Sequence, residues 1–478
     1  MMKMHKISIL IGVIILLLVV DSCQIPQISL KTEHKSAPSS YVDSADTTNM
    51  VAQNWRTYFK DPALVALIDT ALTNNQELQI VWQEIQMTNN EVKARQGAYK
   101  PFVHAGANLG LDKVGRYTSQ GSSDANNEVV TGKQLPDPMA NYALGLNASW
   151  ELDIWKKLRN STKSAVFKYL STVEGKNFLV THLVSEIANS YYELLALDNQ
   201  LAILNQTIDL YQNSLEIVKL EKQFARVSEL AVRRFEAEVL KNKSRQYDIK
   251  QQITETENRI HFLVGQFPHR IRRNSENFTD IKLQSIQAGI PAQLLSNRPD
   301  IKQAEQALMA AELDVKVARA EFYPTLMISA GLGYRAFNTK YLLQTPESLM
   351  FNLGGELIAP LVNRRAIKAN YFSANARQIQ AVYHYEQSIL KAHLEVVNQL
   401  NNLENLRNSF DLKKKQVTAL TESIDIASTL FKSARADYME VLLTQRDALE
   451  SKMEMVETQK RQLTAMVNIY QALGGGWR

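Results

Sequence analysis

A chain of 478 residues with a formal net charge of +5 carries too little positive charge for its length to favour nucleic-acid binding. Its eight histidines are scattered, and it has no Gly-x-Ser-x-Gly, phosphate-binding loop or CxxC, so we predict no enzyme, cofactor or metal site. Proline is missing from residues 139–267 and from everything after Pro360. That distribution favours very long helices, because an interior proline costs a helix about 3 kcal/mol.

The N-terminus has a basic start and then an apolar run, residues 7–20, which suits a secretory signal peptide and is short for a bilayer span of about 20 residues. The run ends just before Cys23, the only cysteine of the chain, and the junction resembles a bacterial lipobox. We predict a lipoprotein signal peptide in residues 1–22, acylation of Cys23 with palmitate, and a lipid-anchored tether in residues 23–54. The alternative is an uncleaved anchor with an incidental cysteine.

Four segments alternate apolar residues with polar residues or glycine, which is the period of a β-strand. They are residues 103–112, 142–153, 326–335 and 351–361. Each has roughly the length of a tilted strand that crosses a bilayer, about 9–11 residues, with an apolar face for lipid and a polar or glycine face for a water-filled lumen. The pattern alone leaves open an ordinary half-buried sheet in a soluble domain.

The helical pattern predicts two long hairpins. One helix runs from about residue 156 to 224 and returns to Gly265; the other runs from about 364 to 431 and returns to 473. Apolar residues step by threes and fours along them, which is coiled-coil-like spacing. At 1.5 Å per residue the outgoing helix is about 100 Å long, too long for a compact globule. Shorter helices, 62–99 and 300–322, precede the first strand of each half.

The chain contains an internal repeat. Residues 144–240 align with residues 353–449 at a constant offset of 209, and residues 99–101 align with residues 322–324 at an offset of 223. We predict a first repeat in residues 55–280, with a β-hairpin at about 102–153, and a second in residues 281–478, with a β-hairpin at about 325–361. The first hairpin loop, residues 113–139, is 14 residues longer than its counterpart and reads as an extracellular loop.

Four strands cannot close a barrel, and lipid does not tolerate an open sheet edge. Transmembrane strands therefore require an oligomer. A dimer gives eight strands and a filled interior, whereas a trimer gives twelve strands and room for water. The glycine-rich inner face favours the trimer.

Three segments resemble the outer-membrane factor family, the TolC-like export ducts, in its lipoprotein (NodT-type) branch. They are Trp55-Arg56 with Phe59-Lys60-Asp61-Pro62, the linker of residues 289–301, and residues 470–477. The resemblance implies a mainly α fold with transmembrane β-strands: a homotrimer with a twelve-stranded barrel in the outer membrane and a helical tunnel through the periplasm. It also implies two partners, a periplasmic adaptor protein and a proton-driven inner-membrane pump. The chain would passively conduct solutes to the exterior.

The turns of the long hairpins lie farthest from the strands, and the resemblance makes them the candidate gate and adaptor-docking tip. The candidate residues are Ala225, Arg226, Ser228, Ala434, Arg435, Asp437, Tyr438 and Glu440. In a trimer Glu440 would form a ring of three carboxylates, with Arg435 and Tyr438 as latch partners. The alternative is solvated charges at a helix tip. The family often has glycine where Ala225 and Ala434 stand and aspartate where Leu443 stands, so this gate departs from the family pattern.

Two other functions stay open at the level of the sequence. One is an outer-membrane duct for ATP-driven (type I) protein secretion. The other is a lipid-anchored periplasmic coiled-coil scaffold without a pore. The lipoprotein signature favours the efflux channel, by analogy with the family.

Overall fold

The computed structural model describes residues 25–35, 38–41, 54–130, 132–276, 278–281, 283, 287–360 and 362–477. The predicted signal peptide, Cys23 and much of the tether lie outside these residues. The chain forms two compact units. Of the described residues, those within 25–32, 86–170 and 306–382 form the sheet unit, and those within 33–85, 171–305 and 383–477 form the helical unit. Each unit draws residues from both predicted repeats.

The described helices and strands follow the predicted order of helices, strand, strand and long helices, twice over. The helices are α1 (Trp55–Tyr58), α2 (Pro62–Asn74), α3 (Gln76–Ala98), α4 (Ser119–Asp124), α5 (Lys157–Gln223), α6 (Glu229–Val264), α7 (Leu294–Asn297), α8 (Pro299–Ala320), α9 (Arg365–Lys432) and α10 (Tyr438–Ala472). The strands are β1 (Phe102–Asp112), β2 (Glu128–Val130), β3 (Lys133–Gln134), β4 (Met139–Leu152), β5 (Thr325–Ala336) and β6 (Leu349–Ile358). No helix in the described ranges is both long enough and apolar enough to cross a membrane.

The prediction of one continuous helix over residues 62–99 is wrong, because Asn75 interrupts it. Asn75 has extended backbone angles, φ −61° and ψ 124°, and is buried. Its side-chain amide donates to the carbonyl oxygen of Leu263 at 2.9 Å, and its oxygen accepts from the backbone N–H of Leu78 at 2.9 Å. A partner 188 positions away in the chain therefore ends α2 and starts α3.

In the sheet unit, the four long strands form one antiparallel sheet in the order β1-β4-β5-β6. One face carries exposed leucines from every strand, among them Leu109, Leu144, Leu332 and Leu353. The opposite face carries glycine and polar residues. The first hairpin loop, which we predicted as an extracellular loop without assigning elements to it, contains α4 and the small β2–β3 ribbon.

The two β-hairpins of this sheet have the same strand register. Phe102 pairs with Ser149 in the first hairpin and Thr325 pairs with Ile358 in the second. Those four positions are related by the offsets of 223 and 209 that the sequence repeat predicts. The internal repeat therefore extends to individual cross-strand pairs.

In the helical unit, α6 and α10 bury regularly spaced apolar side chains. Leu197, Leu204 and Ile208 of α5 form one cluster with Ile249 of α6 and Met453 of α10. A second cluster lies at the turns between the long helices and is described with the candidate site. The long helices are thus held by side-chain packing between helices, which supplies most helical stability in proteins.

Candidate functional site at the hairpin turns

The first turn, residues 224–228, is built on Ala225, which adopts a left-handed conformation with φ 59°. The backbone N–H of Ala225 donates to the carbonyl oxygen of Lys222 at 2.9 Å, and that of Arg226 donates to the carbonyl oxygen of Glu221 at 3.0 Å. This pair of bonds is a Schellman motif, which closes the end of a helix. Ser228, with extended backbone, then starts α6.

The second turn, residues 433–437, repeats this geometry. Ala434 has φ 57°, and the N–H groups of Ala434 and Arg435 donate to the carbonyl oxygens of Phe431 and Leu430 at 3.0 and 2.8 Å. Asp437 starts α10 with the extended backbone that Ser228 has at α6. Both turns therefore accept alanine where a left-handed residue is needed, a conformation that favours glycine.

One apolar cluster holds the two turns together. Its buried members include Tyr211 and Val218 of α5, Phe235 of α6 and Leu442 of α10. Four partly buried residues at or next to the turns pack against it: Val227, Phe431 at the end of α9, and Tyr438 and Met439 at the start of α10. The structure thus brings both predicted turns into one site, and Tyr438 contributes to its apolar base.

The charges of the two turns differ. At the first turn Glu229 pairs with Lys222 and with Arg233, the latter at 2.8 Å, and Arg226 lies 3.4 Å from Glu221. The hydrogen bond from Lys222, with the added charge of Arg233, lowers the pKa of Glu229. At the second turn Arg435, Asp437 and Glu440 are exposed, and none of them forms an ion pair with another residue that the structure describes. The exposed charged side chains of this site that form no ion pair with another described residue therefore lie mostly at the second turn.

The candidate residues from the sequence include Ala225, Ser228, Ala434 and Asp437, which set the backbone of these turns, but the ion cluster of Lys222, Glu229 and Arg233 was missed. The i,i+4 spacing of Glu229 and Arg233 was a signal that could have found part of it. The pairing of Lys222 with Glu229 spans the turn, so it depends on the hairpin geometry. Among the described residues, no group of three or more His, Cys, Asp or Glu side chains is arranged to hold a metal ion.

The family model described as outer membrane efflux protein matches residues 67–266 and 290–475. The chain belongs to the outer membrane efflux protein family. The family match includes both hairpin turns and all four long strands, so the features described above are those of an outer membrane efflux protein.

Relatives of this efflux protein cover nearly its whole length. It is 26% identical to the cation efflux system protein CusC of Escherichia coli O6:H1 over 458 residues, 95% of each chain. It is 28% identical to the solvent efflux pump outer membrane protein SrpC of Pseudomonas putida over 437 residues, 88% of this chain and 87% of the relative. Among solved structures, the open state of the MtrE outer membrane channel of Neisseria gonorrhoeae matches with a TM-score of 0.82 at 21% identity, covering 95% of this chain and 98% of that one.

These findings confirm the predicted family, the predicted fold class and the predicted function. The efflux protein is mainly helical with a four-stranded sheet and has the fold of the outer-membrane channels. It is an outer-membrane exit duct for an efflux system. The roles of the eight candidate tip residues stay a prediction.

Proposed function

We propose that three copies of the chain assemble into the duct, with twelve strands closing a barrel in the outer membrane and the long helices forming a periplasmic tunnel. The observation that carries this proposal is the sheet, which has one exposed apolar face and two edge strands, β1 and β6. A continuous exposed apolar face suits contact with lipid, and the unpaired backbone groups of the edge strands must find hydrogen-bond partners within the membrane. Acylation of Cys23 would add a lipid anchor.

The proposed duct receives solutes from a periplasmic adaptor protein and a proton-driven inner-membrane pump. The relatives named for cation efflux and for solvent efflux support an efflux role over protein secretion. The exposed apolar face of the sheet also argues against a scaffold without a pore, because such a scaffold has no lipid to cover that face. The hairpin turns are the proposed surface for the adaptor.

Assembly and conduction test this proposal directly. Outer-membrane extracts run without heating should contain a trimer that collapses to the monomer on boiling, and the purified protein should give discrete conductance steps in planar bilayers. A chain that migrates only as a monomer and gives no conductance steps contradicts the proposal.

The second turn is the proposed constriction, with Glu440 as its charged residue. In a trimer three exposed Glu440 carboxylates would lie around one axis, where their charges attract cations and repel anions. Exposed Arg435 and half-buried Tyr438 remain the proposed latch partners. Docking of the adaptor against Ala225, Arg226, Ser228 and Asp437 would then change the spacing of this ring.

Replacing Glu440 with glutamine is expected to lower the cation-to-anion permeability ratio several-fold, because the ring loses its charge while keeping its size. The measurement is the reversal potential across a bilayer under a KCl gradient. Glu404→Gln, an exposed carboxylate of α9 more than thirty positions from Glu440, is the matched control and should leave the ratio unchanged. An unchanged ratio in Glu440→Gln rules out the proposed role.

A further inference from the structure

The sheet of one chain ends in two strands that each have a single neighbour, β1 and β6. Their outer edges carry the backbone groups that must pair when the barrel closes. Which residues pair there depends on the register between β6 of one copy and β1 of the next. The internal repeat of the chain contains the information that fixes this register.

The junction between β4 and β5 joins the last strand of the first repeat to the first strand of the second. The junction between β6 and β1 of a second copy joins the same two kinds of strand. Because the two hairpins already share one register under the offsets of 223 and 209, the β4–β5 junction is a template for the junction between copies. Gly145 of β4 corresponds to Gly354 of β6, and Gly333 of β5 corresponds to Gly110 of β1.

Close backbone contacts at two glycines support this template. Gly145 and Gly333 pair directly across the β4–β5 junction. A Cβ added to Gly145 would lie 2.8 Å from the carbonyl oxygen of Leu332, and one added to Gly333 would lie 2.5 Å from the carbonyl oxygen of Leu144. Both contacts are with backbone, so this junction requires glycine on both strands.

The corresponding glycines on the free edges have no such need within one chain. A Cβ on Gly354 would come no closer than 3.6 Å, to Ser329 Oγ, and one on Gly110 no closer than 3.8 Å, to Asn141 Cβ. If Gly354 pairs directly with Gly110 of a second copy, a Cβ on either residue would come too close to the backbone of the opposite strand, as it would at Gly145 and Gly333. That close approach explains why both positions are glycine. A register shifted by two residues would place Gly354 and Gly110 opposite Asn108 and Asn352 in one direction, and opposite Asp112 and Glu356 in the other.

We propose that β6 pairs antiparallel with β1 of a second copy in the register that sets Gly354 opposite Gly110. This register sets Glu356 opposite Asn108 on the polar face and Leu353 opposite Leu111 on the apolar face. The faces of the sheet therefore continue without a break from one copy to the next. The inference rests on the proposed trimer and specifies its contact surface within the barrel.

Disulfide formation between pairs of introduced cysteines measures the register. Directly opposite residues have Cα atoms about 4.5–5.5 Å apart, which a disulfide spans, whereas diagonal neighbours are about 7–8 Å apart. The variant that tests the proposed register is the full-length chain with Glu356→Cys and Asn108→Cys. Glu356→Cys with Gly106→Cys, and Ile358→Cys with Asn108→Cys, report the two registers shifted by two residues on the same face. Cys23, the only native cysteine, is common to all three variants.

Oxidation in outer membranes, followed by non-reducing electrophoresis after boiling, should give several-fold more covalent oligomer for the Glu356 and Asn108 pair than for either shifted pair. Asn108→Cys with Ala143→Cys is the positive control, because these residues pair within one chain. It should lose its free thiols without forming covalent oligomers. Stronger cross-linking by a shifted pair overturns the proposed register.

Failure of every pair between copies, while the control pair oxidises, overturns the pairing of β6 with β1. Trimers in unheated samples and conductance steps in the same preparations would then show that the duct itself survives and that only this inference fails. Loss of trimers and conductance in the chain without introduced cysteines would instead contradict the proposed function.

Discussion

Replacing Arg298 with alanine is expected to cost about 2–3 kcal/mol of folding stability, because it removes a buried guanidinium and leaves the carbonyl oxygen of Ala472 and the partly buried Asp300 and Glu395 without their partner. The guanidinium, whose side chain is only 5% exposed, binds both carboxylate oxygens of Asp300 at 2.9 and 2.6 Å and one oxygen of Glu395 at 2.8 Å. It also donates to the carbonyl oxygen of Ala472 at 2.9 Å. Urea unfolding in detergent, followed by helical circular dichroism, measures the loss as a lower midpoint.

The electrostatics of Arg298 support a charged state in the fold. Burial alone would lower the pKa of Arg298, but the hydrogen bond and charge of Asp300, and then those of Glu395, leave it raised. Arg298→Lys keeps the charge but cannot make the bidentate hydrogen bonds to Asp300 while also reaching the carbonyl oxygen of Ala472. Lysine should therefore restore only part of the lost stability.

Arg95→Ala is the matched control. Arg95 pairs with Glu91 at 2.7 Å, but both side chains are more than half exposed. An exposed pair of this spacing contributes about 0.3–0.5 kcal/mol. Equal midpoints for Arg298→Ala and Arg95→Ala would contradict the structural role given to Arg298.

The position of Arg298 shows what the sequence could and could not predict. The offset of 223 relates Arg298 to Asn75, and the offset of 209 relates Ala472 to Leu263. Both side chains donate to the corresponding carbonyl oxygen, at 2.9 Å in each case. The alignment predicted equivalent elements. It could not predict that Arg298 and Asn75, two different polar residues, donate equivalent hydrogen bonds, because each bond joins residues far apart in the sequence.

The candidate site follows the same division. Local rules predicted the helix ends at both turns, because the backbone there is set by the residues of the turn itself. The apolar cluster under the turns joins α5, α6 and α10, and its membership depends on how the hairpins pack. The small elements in the loop of residues 113–138 were also missed, because their short segments carry no periodic pattern.

The repeat also relates two glycines that close the long helical hairpins. Gly265 and Gly474 differ by 209 positions, and both have left-handed backbones, with φ 73° and φ 92°. A Cβ on Gly265 would lie 2.6 Å from the carbonyl oxygen of Asn74, and one on Gly474 would lie 2.6 Å from that of Asn297. Asn74 and Asn297 are themselves related by the offset of 223.

Gly265→Ala and Gly474→Ala are therefore each expected to cost at least about 2 kcal/mol, and to cost comparable amounts. A left-handed alanine costs about 1–2 kcal/mol by itself, and the contact with a backbone oxygen adds to that, because the backbone at the end of α2 or α7 must move. Urea midpoints in detergent measure both effects, together with the temperature at which the trimer dissociates when samples are heated in steps before electrophoresis.

Gly97→Ala separates this cost from the general effect of removing a glycine. A Cβ at Gly97 meets nothing within 4 Å, and the residue lies in α3, so alanine there should leave stability unchanged or raise it by up to about 1 kcal/mol. If Gly265→Ala and Gly474→Ala behave like Gly97→Ala, the close approach of the helix ends is not required. If only one of them is costly, the two copies of the repeat have diverged at this contact, and the register that we infer from their equivalence in the sheet loses support as well.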